Sequence, residues 1–95
     1  MGKKQLEQIG YQILDSEFYQ KYAYKHYWTS GSSTEVAPVT VTYDSIEIQL
    51  ACKNLRGIKQ ALAKLVREIG ESLVKKYYVF KYDGSCPNVA RIYFN

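Results

Sequence analysis

Apolar residues near the start of the chain fall at helical intervals. Leu6, Ile9 and Ile13 recur at gaps of four and three over residues 3–14, with Glu, Gln and Lys between them, a pattern that predicts an amphipathic helix. Leu14, Phe18 and Tyr22 continue at intervals of four on a neighbouring side of the cylinder. That drift leaves two readings for residues 18–28, FYQKYAYKHYW. Either one long helix runs to about residue 27, or the helix ends near Asp15 and Ser16 and the aromatic run is a strand. As a strand it would carry Phe18, Gln20, Tyr22, Tyr24, His26 and Trp28 on one face. Gln, Lys, Ala and Glu are good helix formers and no proline interrupts them, so the helix is the preferred reading.

Residues 29–34, TSGSST, read as a loop. Alternation then takes over at residues 36–43, with Val39, Val41 and Tyr43 facing one way, Thr40 and Thr42 the other, and Pro38 marking an edge or a late start. A second strand is expected at residues 46–50 with Glu47 and Gln49 outward, and Asp44 and Ser45 between the two suggest an antiparallel hairpin. From residue 55 to about 76, Leu55, Ile58, Leu62, Leu65, Ile69 and Leu73 return to helical gaps. Asn54 is placed to cap that helix, while Gly57 and Gly70 inside it each cost about 1 kcal/mol of propensity. Strands at residues 77–82 and 89–94, joined by a turn with Asp83-Gly84 and Pro87-Asn88, close the chain. The expected fold is α+β: a two-layer sandwich in the order α-β-β-α-β-β, with a four-stranded, mainly antiparallel sheet and two helices on one face. A connection through the second helix could set the two inner strands parallel, with their hairpin partners outside.

Ninety-five residues suit one compact domain, and 46% apolar with 23% charged residues is ordinary globular usage. Ten tyrosines are not ordinary. Thirteen Lys and Arg against nine Asp and Glu give a net charge of +4, which favours nucleic acid or an acidic protein face as partner. Cys52 and Cys86 have no metal or redox spacing, and with one histidine the chain lacks the ligands of a zinc site. They are expected to be small buried hydrophobes rather than a disulfide. Residues 1–10 lack the apolar stretch of a secretory signal, and no run is long enough to cross a bilayer, so a cytoplasmic protein without a membrane partner is expected.

Catalysis finds no support in the residue types. His26 is the sole histidine and has no acidic neighbour in sequence, Ser32, Ser33 and Ser85 stand in no motif, and Gly31 lacks the glycines and lysine of a phosphate loop. Asp44 with Glu47, and Glu68 with Glu71, read as turn and helix-surface groups. No enzyme, cofactor or metal is expected.

Two surfaces could bind a partner. Tyr19, Lys21, Tyr22, Tyr24, Lys25, His26, Tyr27 and Trp28 interleave rings with cations and suit docking on a larger protein, such as a nuclease or a nucleic-acid-binding complex. On that reading Tyr22→Ala or Tyr27→Ala abolishes binding and leaves the fold intact. The alternative is DNA or RNA binding by Lys53, Arg56, Lys59, Lys64 and Arg67 on the basic helix, aided by the same rings, although such cations also serve as a solvated helix face. Homodimerisation by a hairpin edge or the first helix is compatible with either. The glycine loop of a KH domain and the paired aromatic signature of an RNA-recognition strand are both missing. In size and α+β build the chain resembles small accessory proteins of phages and mobile elements, some of which block host nucleases such as CRISPR effectors. That resemblance implies an inhibitor working in a host cytoplasm.

Overall fold

Ser16 sets the course of the first quarter of the chain. In the computed structural model, which describes residues 2–24, 39–51, 54–81 and 88–95, helix α1 spans Lys3–Leu14 and a second helix, α2, spans Glu17–Tyr22. Between them the Ser16 hydroxyl donates to the Ile13 carbonyl at 2.6 Å and accepts the Tyr19 N–H at 3.1 Å, ending one helix and capping the next. The single helix expected to reach residue 27 is therefore corrected to two short ones. The strand reading also fails for residues 18–22. Extended pairing begins only at Ala23, which bridges Leu50, while the Tyr24 N–H donates to the Gln49 carbonyl at 2.9 Å and the Ala51 N–H to the Tyr22 carbonyl at 2.8 Å. The polar loop at 29–34, Pro38, both cysteines and the last turn at 83–87 lie outside the described residues.

Strands β1 (Val39–Val41) and β2 (Ser45–Leu50) form the expected antiparallel hairpin, with Val39 opposite Ile48 and Val41 opposite Ile46. Thr42 closes its turn: its N–H donates to the Ser45 carbonyl at 2.8 Å and its hydroxyl accepts the Ser45 N–H at 3.0 Å. Val39 and Val41 pack on the core as expected, whereas Tyr43 sits in the turn and is exposed.

Helix α3 is shorter at both ends than its apolar spacing suggests, running Ile58–Ile69. Asn54 does not cap it; Asn54 has φ +64° and Gly57 φ +76°, so the chain enters the helix through two left-handed residues, and Gly57 itself is the N-cap. Gly70, at φ +126°, ends the helix, and one 3-10 turn (Glu71–Leu73) leads into strand β3 (Val74–Lys81). Leu73 imitated another helical turn because it still packs against the core after the chain has changed direction.

Strand β4 (Asn88–Phe94) completes a sheet of order β1-β2-β4-β3 in which every pair is antiparallel. The inner strands β2 and β4 are thus antiparallel rather than parallel, with their hairpin partners outside. Alternate residues Ile46, Ile48 and Leu50 of β2 and Ala90, Ile92 and Phe94 of β4 join one buried cluster with Leu6, Ile9 and Ile13 of α1, Phe18 and Tyr22 of α2, and Leu62, Leu65 and Val66 of α3. Helix α1 lies against β1 and β2, and α3 against β3. Every buried apolar side chain of the described helices belongs to this cluster, so none is left to cover the other side of the sheet. No helix among the described residues is long and apolar enough to cross a membrane.

Candidate functional site

Strand parity populates the other side of the sheet. With Ala90, Ile92 and Phe94 turned to the core, β4 presents Val89, Arg91 and Tyr93 outward. Register then sets Phe80 opposite Val89, Tyr78 opposite Arg91 and Lys76 opposite Tyr93 on the β3 side, and Gln49, Glu47 and Ser45 opposite the same three residues on the β2 side. A bulge between Val74 and Lys76 is what makes this possible. Strict alternation from Val74, which packs on the core, would send residues 76, 78 and 80 inward; the extra residue, Lys75, reverses the parity.

Arg91 stands at the centre of this grid. Its Nε donates to Glu47 Oε2 at 2.7 Å and its Nη2 pairs with the same oxygen, while Nη1 lies 3.3 Å from both the Tyr78 and Tyr93 hydroxyls. The guanidinium carbon is 4.6 Å from the Phe80 ring centroid and 5.9 Å from that of Tyr93, and Lys76 Nζ is 4.9 Å from the Tyr93 centroid. The Tyr78 ring lies 5.6 Å from Phe80 and 6.2 Å from Tyr93, nearly stacked on the latter at 27°. Tyr78 is 39% exposed; Phe80, Arg91, Tyr93 and Glu47 are half-buried, and Val89 and Ser45 are buried between them. The hydrogen bond to Tyr78, with those to Tyr93 and Glu47, raises the already high pKa of Arg91, so this cation persists at every working pH. Reciprocally, the Tyr93 hydroxyl first and Arg91 second hold the Tyr78 phenol below its ordinary value.

This arrangement offers flat rings, one fixed guanidinium, one flexible ammonium and one carboxylate. It suits recognition of a flat or anionic ligand. Among the described residues no group of His, Cys, Asp and Glu stands together in a way that could hold a metal.

The docking residues expected from the sequence are divided by the fold. Tyr22 is buried, with its ring 5.4 Å from Phe18 and its hydroxyl donating to the Arg56 carbonyl at 2.8 Å, because α2 turns that side of the helix to the core. Tyr22→Ala is therefore a core deletion and does not leave the fold intact. Tyr19 is half-buried against the core, and Lys21 is exposed with Nζ 5.3 Å from the Tyr22 ring centroid. Tyr24 is 38% exposed, and the bridge at Ala23 sets it beside Gln49, on the side of the sheet away from the described helices. Lys25, His26, Tyr27 and Trp28 lie outside the described residues.

Arg56, Lys59, Lys64 and Arg67 are all exposed, and Lys53 lies outside the described residues. Lys59 and Arg67 are about 80° apart around α3 and share its solvent side. Lys64 lies farther round and pairs with Glu17 of α2 at 3.6 Å, the two side chains 61% and 92% exposed. These cations belong to the helix layer, and of them Lys59 reaches the edge of β3, where it lines a cavity with Leu62, Tyr77, Tyr78 and Val79. Sequence reasoning missed Tyr78, Phe80, Arg91 and Tyr93. The available signal was the spacing of Arg91 and Tyr93 two apart, out of phase with Ala90 and Ile92.

No family model, curated protein or solved structure matches the chain.

Proposed function

We propose that this is a non-enzymatic nucleic-acid-binding protein whose working surface is the open face of the sheet. The observation that carries the reading is the cluster of Tyr78, Phe80 and Tyr93 around Arg91, on a face to which no described helix contributes. Rings of this kind accept bases of any identity on their π-faces, and stacking is worth about 1–3 kcal/mol per base. Lys75, Lys76 and Lys81 on β3, with a net charge of +4, supply the long-range attraction to phosphate. The site differs from the basic helix expected to do this work, and of that helix's cations Lys59 lines a cavity at its border with Tyr78.

Fluorescence anisotropy with short labelled oligonucleotides tests the reading. Binding is expected to weaken steeply between about 50 and 200 mM salt. Tyr78→Ala should cost roughly 10-fold in affinity, and Arg67→Glu on the solvent side of α3 far less. Absence of binding to any DNA or RNA at low salt would overturn it.

A second reading draws on Tyr24 and Lys21, both exposed at the start of the aromatic run. They favour docking on a larger protein, for which a nuclease or a nucleic-acid-binding complex is the partner class and phage-type inhibition the consequence. Tyr24→Ala, in place of the core residue Tyr22, is its probe: loss of a captured partner with an unchanged melting curve supports docking.

A further inference from the structure

We infer that the nucleic acid taken by this face is single-stranded and unstacked, with its phosphates along β3 and its bases laid across the β3–β4 rungs toward Glu47. This rests on the nucleic-acid reading above and adds the form and path of the ligand. Same-face residues along a strand are about 6.8 Å apart, whereas successive nucleotides of a duplex strand rise about 3.4 Å. A strand that places bases on successive rungs, Phe80, then Tyr78 with Arg91, then Tyr93, is stretched about twofold and has lost its own stacking. A duplex keeps the faces of its bases inside the helix and offers these rings only edges and phosphates.

Charge placement fixes the direction in which the bases point. Lys76 shares the ring face of β3, the outer strand, and Lys75 stands at its bulge, whereas the carboxylate of Glu47 sits two strands inward on β2. Phosphates are attracted to these lysines and repelled by that carboxylate. Arg91, although cationic, is aimed at its neighbours: Nε and Nη2 are on Glu47, and Nη1 is on the two tyrosine hydroxyls. With its donors so directed, the guanidinium lies over the Phe80 ring, 4.6 Å from its centroid, and adds a flat cationic surface to the ring cluster. Glu47 is then a positioning residue that holds that plane, and its carboxylate borders the edges of whatever bases lie there.

The test compares five labelled ligands with the intact protein: a DNA single strand, an RNA single strand, their two matched duplexes, and an abasic strand carrying the same number of phosphates. A single strand is expected to bind roughly 10-fold or more tightly than either the duplex or the abasic strand. Tyr78→Ala and Tyr93→Ala should each remove about 5-fold or more while leaving the salt slope unchanged. Lys75→Gln and Lys76→Gln should each lower that slope by about 1. Equal affinity for duplex or abasic strand overturns the inference and leaves nucleic-acid binding standing, whereas failure of all five ligands removes the nucleic-acid reading itself. Because the ligand series uses the unaltered protein, the outcome does not depend on any variant folding. Tyr78→Phe, which keeps the ring and loses the hydroxyl, should retain most of the affinity if stacking is the interaction.

Discussion

Two tyrosines of similar surroundings in sequence have opposite duties in the fold. Tyr22 closes the core between α2 and α3, and its hydroxyl satisfies the Arg56 carbonyl just ahead of the left-handed Gly57. Tyr22→Phe should cost about 1 kcal/mol for the lost hydrogen bond, and Tyr22→Ala about 3–5 kcal/mol for the emptied site, both read from urea midpoints. Tyr78 stands on the open face, and its phenol is biased toward ionisation by Tyr93 first and Arg91 second. Below its lowered pKa it is protonated in folded and unfolded chains alike and adds no pH-dependent stability. As pH climbs through that value toward 10.0, the folded chain alone sheds the proton, so this tyrosine adds stability with rising pH and loses it again as pH falls. A phenolate absorbance titration should show one tyrosine ionising ahead of the others in the folded protein. In Tyr93→Phe, which removes the principal cause, that early step should move back toward the ordinary range.

At the scale of elements, what the sequence made legible was periodicity, and what it hid was every place where parity or handedness changes. Ile46, Ile48 and Leu50 alternate without interruption, and β2 falls where the alternation predicts. VKKYYVFK does not alternate cleanly, since Tyr77 and Val79 face the core side while Tyr78 and Phe80 face away, and only the bulge at Lys75 assigns them. Without that register, no reading of residues 74–94 brings Tyr78, Arg91 and Tyr93 together. The helix ends were obscured for a related reason. Gly57 looked like a weak interior residue, whereas its φ of +76° makes it the entry to α3. Gly57→Ala should therefore destabilise by about 1–2 kcal/mol through backbone strain, although the nearest atom to the added methyl group, the Tyr22 hydroxyl, is 3.5 Å away and leaves room for it. Ser16 was legible as a break but not as a double cap; Ser16→Ala should lose about 1 kcal/mol, visible as a lower urea midpoint.

Across the whole molecule the fold separates two cationic surfaces that the sequence would allow to act together. One is the solvent side of α3, where Lys59 and Arg67 project from a helix whose other side contributes Leu62, Leu65 and Val66 to the core. The other is the ring face, set on the far side of the sheet from that same core. Lys59 lines a cavity with Tyr77, Tyr78 and Val79 at the border of the two, but a ligand centred on one surface meets different residues from a ligand centred on the other, so the two proposals for nucleic-acid binding make different maps. Titration of isotopically labelled protein with a DNA single strand, followed by amide chemical shifts, reads both at once. If the open face is the site, shifts should concentrate in β3 and β4 at residues 76–80 and 91–93 and spread to Glu47 and Gln49 on β2. The amides of Ala63 and Arg67 should then hold still. The reverse pattern would return the function to the basic helix and make the Arg91 cluster a structural clamp of the outer strand. The Tyr24 amide adds a third reading, since its N–H is bonded to the Gln49 carbonyl at 2.9 Å. Movement there together with Gln49 would extend the ligand's footprint from β3 across the sheet to the start of the aromatic run, joining the segment first singled out in the sequence to the surface found in the structure.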